Sequence, residues 1–255
     1  MIRAEDIHKG FNGTEVLRGV DLEVNDGETL VIIGGSGGGK SVLLKHLCGL
    51  LKPDEGKVVV DDVNIVELNE DELTPIRKKF GVLFQSAALF DSLTLFDNVA
   101  FPLREERAHT EKEIEERVMR ALDIVDLAMA RDKKPAELSG GMRKRAGLAR
   151  ACVAAPKYIL YDEPTTGLDP IRADSINNLI LRLRDQLKVT GVAVTHDMVS
   201  AFKIADRIAM LHEGRIYKVG APQEIQADTD PIVRSFVSGQ SDNHQEVALG
   251  ETAIH

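Results

Sequence analysis

Two separated runs in this chain carry the residue types that phosphate chemistry requires. Gly34, Gly35, Ser36, Gly37, Gly38, Gly39, Lys40 and Ser41 complete the pattern GxxxxGK[ST], after the apolar run 29–33 and before the apolar run 42–47. Glycines there let successive backbone N–H groups turn inward, and the following helix adds the positive end of its dipole. A polyphosphate therefore meets donors in a favourable field. Lys40 is placed to reach the β- and γ-phosphates of a bound nucleotide, and the Ser41 hydroxyl to ligate Mg²⁺. The second run is 158–161, an apolar strand ending in Asp162 and Glu163. Asp162 can orient the Mg²⁺ shell, and Glu163 can polarise water for attack on a γ-phosphorus.

Three further positions acquire meaning from these two. Gln85 follows the compact apolar run 80–84, where a polar residue at a strand's C-terminal end is either well placed to meet a ligand at the edge of an α/β sheet or an ordinary loop glutamine. His196 follows the apolar strand 191–195 and suits a sensor of the γ-phosphate or the attacking water. Ser139, Gly140 and Gly141 precede a helix expected over 143–154, giving either a simple cap or a second phosphate-binding helix start. Phe11, in the turn between the first two strands, would either stack on a base or cap the small N-terminal sheet.

Elements that would hold these residues alternate in type. Strands are expected over 2–7, 15–24 and 29–33, with a strand pair at 57–60 and 64–66. Residues 86–137 change character. An apolar segment is interrupted by Pro102, and the charged helix that follows carries an apolar stripe of Ile114, Val118, Ala121, Leu122 and Val125. This reads as a helical insertion in an α/β core. Residues 221–237 supply a further apolar helical stripe, and 239–255 form a polar tail, either mobile or ordered on a partner.

Composition bounds the function. With 255 residues and 43% apolar content, one large domain with a substantial insertion has a real interior. A net charge of −9, 4% aromatics and no Trp argue against a nucleic-acid platform, so no nucleic-acid partner is expected. Cys48 and Cys152 fit buried apolar positions in helices rather than a disulfide. Neither a signal-peptide pattern nor a run of 18 or so apolar residues is found, so the polypeptide is expected to be cytosolic.

In this order, the motifs resemble the ATP-binding-cassette ATPase family across residues 1–238. The resemblance covers the phosphate loop, a glutamine loop at Gln85, and the signature Leu138-Ser139-Gly140-Gly141-Met142. It continues through the second nucleotide-binding strand with Asp162 and Glu163, the turn Gly167-Leu168-Asp169-Pro170, and His196. It implies a P-loop NTPase with an N-terminal antiparallel β subdomain, a helical subdomain at about 86–155, and ATP and Mg²⁺ as cofactors. Two copies would sandwich two ATP molecules head to tail, the phosphate loop of one facing Ser139 to Gly141 of the other. Phe11 would take the adenine-stacking position and Asp169 would communicate across the interface. Glu163 would be the principal base, supported by His196. Gln85 would join the catalytic arrangement and, with Ser41 and Asp162, the Mg²⁺ site, Asp162 acting through water. Met142 departs from the usual glutamine and lacks its amide donors.

More narrowly, the segments 142–150, 85–90 and 96–104 resemble the Mla-type phospholipid-transport ATPases; a plastid lipid-import relative would look similar. That resemblance implies a homodimer on the cytoplasmic face of a bacterial inner membrane, attached indirectly through an integral-membrane permease. A lipid-binding substrate protein and a small accessory subunit would complete the complex, and the tail would reach across the homodimer. An ATPase of another small-molecule transporter and a soluble cassette protein acting with ribosomes or DNA are the alternatives.

Overall fold

The computed structural model describes residues 1–239 of the chain. The tail from residue 240 onward, and with it the expected crossing of the dimer, lies outside the described residues.

An antiparallel sheet opens the chain, in the order β2-β1-β4-β5, from β1 (Ile2–Phe11), β2 (Thr14–Val24), β4 (Glu55–Val60) and β5 (Val63–Asn64). Its inward residues keep the strand period of two, as in Val20, Leu22 and Val24. Asp6 adopts a left-handed φ of 50° where the β1–β2 register shifts, so Ile7 still points into the core three residues after Ala4. This bulge carries β1 on to Phe11, beyond the residue 7 expected from the polar breaks, and places Phe11 at a strand end rather than in the turn.

The second sheet contains β3 (Thr29–Ile33), β6 (Phe80–Leu83), β7 (Tyr158–Asp162), β8 (Thr190–Thr195), β9 (Arg207–His212) and β10 (Arg215–Gly220), in the order β10-β9-β3-β8-β7-β6. All neighbours are parallel except β9 and β10. Every residue of β3, β7 and β8 is buried, as a sheet covered on both faces demands. Val31, Ile33, Tyr161 and Ala193 join one apolar core with α3 (Leu95–Glu106), α4 (Glu111–Ile124) and α5 (Gly140–Cys152). Leu30, Ile32, Leu160 and Val192 join the other, with the antiparallel sheet and α1 (Lys40–Leu47). The helical insertion therefore shares its core with one face of the central sheet.

The remaining helices are α2 (Glu70–Arg77), α6 (Pro170–Leu187), α7 (Met198–Ile204), α8 (Pro222–Gln226) and α9 (Pro231–Ser238). The single stripe expected over 221–237 is thus two short helices, the second opened by Pro231, yet Ile225 and Val233 still cover the core. Pro102 does not interrupt its segment. α3 runs through it to Glu106, because Val99, Ala100 and Leu103 bury against the core and outweigh one missing backbone bond. Both cysteines are buried and free; Cys152 ends α5, whereas Cys48 lies just past α1. Burial pushes the Cys48 thiol up to about 11. Among the described residues no helix is long and apolar enough to cross a membrane.

Candidate functional site

The parallel strands decide where the chemistry collects. β3, β8, β7 and β6 run the same way, with Ile33 beside Thr195, Asp162 beside Val194 and Leu83 beside Tyr161. Their C-terminal ends form one edge, from which the phosphate loop, His196, Glu163 and Gln85 all emerge.

At that edge a cavity of about 380 Å³ is lined by residues 36–41 together with Val16, Val42, Gln85, Glu163 and His196. Two loop glycines are required sterically. A Cβ at Gly34 would lie 2.3 Å from the Leu211 carbonyl oxygen, and Gly39, at φ 92°, would bring one to 2.9 Å from Val16 Cγ1. Lys40 Nζ donates to the carbonyls of Gly34 and Gly35, each at 2.9 Å. Burial lowers its pKa from the ordinary lysine value, while the charges of Glu163 and Asp162 work the other way.

The Ser41 hydroxyl donates to Asp162 Oδ1 at 2.7 Å. With Gln85 lining the same cavity, hydroxyl, carboxylate and amide oxygens make an all-oxygen donor set, which fits Mg²⁺. When bound, the cation supplies positive charge beside the phosphates. Ser41 and Asp162, already hydrogen-bonded to each other, are the residues that would hold it.

Glu163 is fixed through backbone and side chain alike. Its backbone takes a left-handed φ of 49°, rare for a non-glycine residue. Its N–H donates to Val194 O at 3.0 Å, and its carbonyl accepts from Lys144 Nζ at 2.9 Å. Its carboxylate, nearly buried, meets His196 Nδ1 at 3.0 Å and accepts from Thr166 Oγ1 at 2.9 Å and Thr195 Oγ1 at 3.4 Å. A carboxylate so held has its lone pairs aimed, and its opening is toward the cavity that Lys40 and Ser41 line.

Motif spacing alone does not single out Lys144, Thr166 or Thr195. The signal for Lys144 is positional: it shares the buried face of α5 with Gly147, Leu148 and Ala151, at offsets of three, four and seven.

Ser139, Gly140, Gly141, Asp169 and Phe11 do not line the cavity. Ser139 caps α5, accepting from the Met142 N–H at 3.3 Å, and the helix begins at Gly140 rather than 143. Asp169 caps α6 through the Arg172 N–H at 3.0 Å and also pairs with the Arg172 guanidinium. Phe11 is exposed, with the Lys9 ammonium 5.5 Å from its ring centre. Met142 packs against the core of the helical insertion.

Residues 17–166 match the family model described as ABC transporter. A probable ribonucleotide transport ATP-binding protein mkl of Mycobacterium leprae is 43% identical over 94% of this chain and 69% of its own length. The intermembrane phospholipid transport system ATP-binding protein MlaF of Haemophilus influenzae is 40% identical over 88% and 84%. A methionine import ATP-binding protein MetN of Carboxydothermus hydrogenoformans is 40% identical over 93% and 72%. Among solved structures, a dimeric post-hydrolysis state of the ATP-binding cassette MJ0796, bound to ADP and phosphate, superposes with a TM-score of 0.81. It is 33% identical over 87% of this chain and 99% of that one.

Proposed function

The chain belongs to the ATP-binding subunits of ABC transporters, and we propose that two copies work as a pair driving phospholipid transport between the inner and outer membranes of a bacterium. Its activity is hydrolysis of ATP with Mg²⁺. In the proposed arrangement Lys40 and the loop N–H groups bind the phosphates, while Ser41, Gln85 and Asp162 serve the cation. Glu163 takes the proton of the attacking water, and His196 holds its carboxylate.

Pairing is supported by one observation: the cavity has phosphate-loop residues 36–41, the Glu163 carboxylate and His196 on its walls, yet Ser139 to Gly141 open a helix outside it. A second copy turned head to tail would bring that helix start to the open side. Asp169, exposed beside it, would then lie at the contact between copies. The permease would dock on the helical insertion, where exposed Phe90 and Phe101 pack with ring centres 4.8 Å apart just beyond Gln85. This would place the chain at the cytoplasmic face of the inner membrane.

Phospholipid as cargo is supported by the resemblance at 85–90, 96–104 and 142–150 and by the phospholipid-transport relative, most of whose length the chain covers. The ribonucleotide and methionine relatives match at similar identity, so an ATPase of another small-molecule transporter is the second reading. Gentle isolation of the tagged chain from its native membranes, with mass spectrometry of proteins and lipids, tests the choice. A permease and a lipid-binding partner carrying enriched phospholipid are expected; a permease without phospholipid enrichment removes the cargo and leaves the ATPase.

A further inference from the structure

The backbone of Glu163 is strained, and its carbonyl has one good donor. Lys144 Nζ supplies it at 2.9 Å; the next nearest, the Thr166 N–H, is at 3.4 Å and beyond normal hydrogen-bond length. Lys144 is 5% exposed, so its ammonium stands almost out of water, beside the two carboxylates of Asp162 and Glu163 that favour its charge. An ammonium is costly at such a place, and an apolar side chain of equal length would fill it without that cost. What Lys144 adds is a donor to the Glu163 carbonyl and a charge that interacts with the carboxylate facing His196.

Lys144 also stands on a particular helix. It lies five residues after Ser139 on α5, about 7.5 Å along the axis. The same rigid turn and a half thus carries the exposed helix start at one end and the anchor of Glu163 at the other.

We propose that Lys144 is a positioning residue for hydrolysis: it holds the Glu163 carbonyl, keeps the left-handed turn that aims the carboxylate, and ties that turn to the signature helix of the same subunit. Resting on the paired arrangement above, this gives each copy a short mechanical path. A displacement of its helix start by the nucleotide held mainly by the partner is transmitted through α5 to its own Glu163. Lys144 touches neither nucleotide in this account; it acts through Glu163.

The test compares Lys144→Met, which keeps the stem and removes the donor, with Lys144→Arg, which keeps a cationic donor, in the full-length protein isolated with its membrane partners. Lys144→Met is expected to lower kcat about tenfold with KM for ATP within twofold, and to lower the melting temperature as well, since the Glu163 carbonyl loses its good donor. Lys144→Arg should retain at least half of kcat. Lys144→Leu takes the place of Lys144→Met if that protein fails to fold, with the same expectation. In a Glu163→Gln background, the ATP concentration that pairs the copies on size exclusion should be the same with and without Lys144→Met.

An unchanged kcat in Lys144→Met overturns the proposal, as does an equal loss in Lys144→Met and Lys144→Arg. So does a severalfold rise in the ATP needed for pairing, which would place the effect of Lys144 at the helix start instead of at Glu163. If Glu163→Gln alone does not pair with ATP, the paired arrangement fails, while the kcat comparison still decides the role of Lys144 at its own Glu163.

Discussion

His196 Nδ1 sits 3.0 Å from the Glu163 carboxylate, joining the ends of two adjacent parallel strands across the cavity edge. The imidazole is half exposed whereas the carboxylate is nearly buried, and both line the cavity. Removing the histidine leaves the carboxylate with Thr166 and Thr195, which can hold one oxygen but cannot orient both.

His196→Ala is therefore expected to lower kcat roughly a hundredfold with little change in KM for ATP. Adding Glu163→Gln should cost almost nothing further, because residues acting as one unit are not additive. Phosphate-release kinetics of the two single variants and the double variant check this. Losses that multiply would show that the two residues act separately.

Ser41→Ala removes the hydroxyl that now bonds Asp162 at 2.7 Å. We expect the affinity for Mg²⁺ with ATP to fall roughly tenfold, the equivalent of one charge-assisted contact of about 1.5 kcal/mol. ATP binding measured in excess chelator should hardly change, and chelator should abolish turnover of the unaltered protein. Calorimetric titration with and without Mg²⁺ separates the two effects; equal losses under both conditions would place Ser41 in nucleotide binding alone.

Away from the site, Asp61 ties Lys157, Lys79 and the Tyr158 hydroxyl together under the junction of the two sheets. Burial works against its carboxylate, but the hydrogen bonds from Lys157, Lys79 and Tyr158 outweigh it and hold the pKa well below the usual range. A depressed carboxylate stabilises the fold above its unfolded pKa of about 4, and that stabilisation is lost as pH falls through the folded value. Asp61→Asn should thus lower stability at neutral pH by about 1–2 kcal/mol, a few degrees of melting temperature. The gap should narrow progressively below about pH 4. A gap that stays constant as the solution is acidified would show that shape, and not charge, is what Asp61 contributes.

Much of this site was legible because its chemistry is written in contiguous residues. The phosphate loop needs its glycines, Lys40 and Ser41 in one turn, and a strand buried on both faces must read as a continuous apolar run, as 29–33 and 158–161 do. Contacts that depend on how separate elements pack left no such trace. Lys144 and Glu163 are 19 residues apart and meet only because α5 lies against the central sheet. The run of α3 through Pro102 and the bulge at Asp6 were hidden for a related reason. In each, burial of neighbours overrode a local signal that pointed to a break.

The most direct test of the account is turnover and pairing in Glu163→Gln. The substitution keeps the size of the side chain and the contacts of its backbone while removing the carboxylate that we propose takes the proton. With Mg²⁺ and ATP the variant should retain unhydrolysed nucleotide and elute as a stable pair of copies, with phosphate release reduced at least roughly a hundredfold. Phosphate release at the unaltered rate would contradict the assignment of Glu163 as the base on which the rest of the site is built.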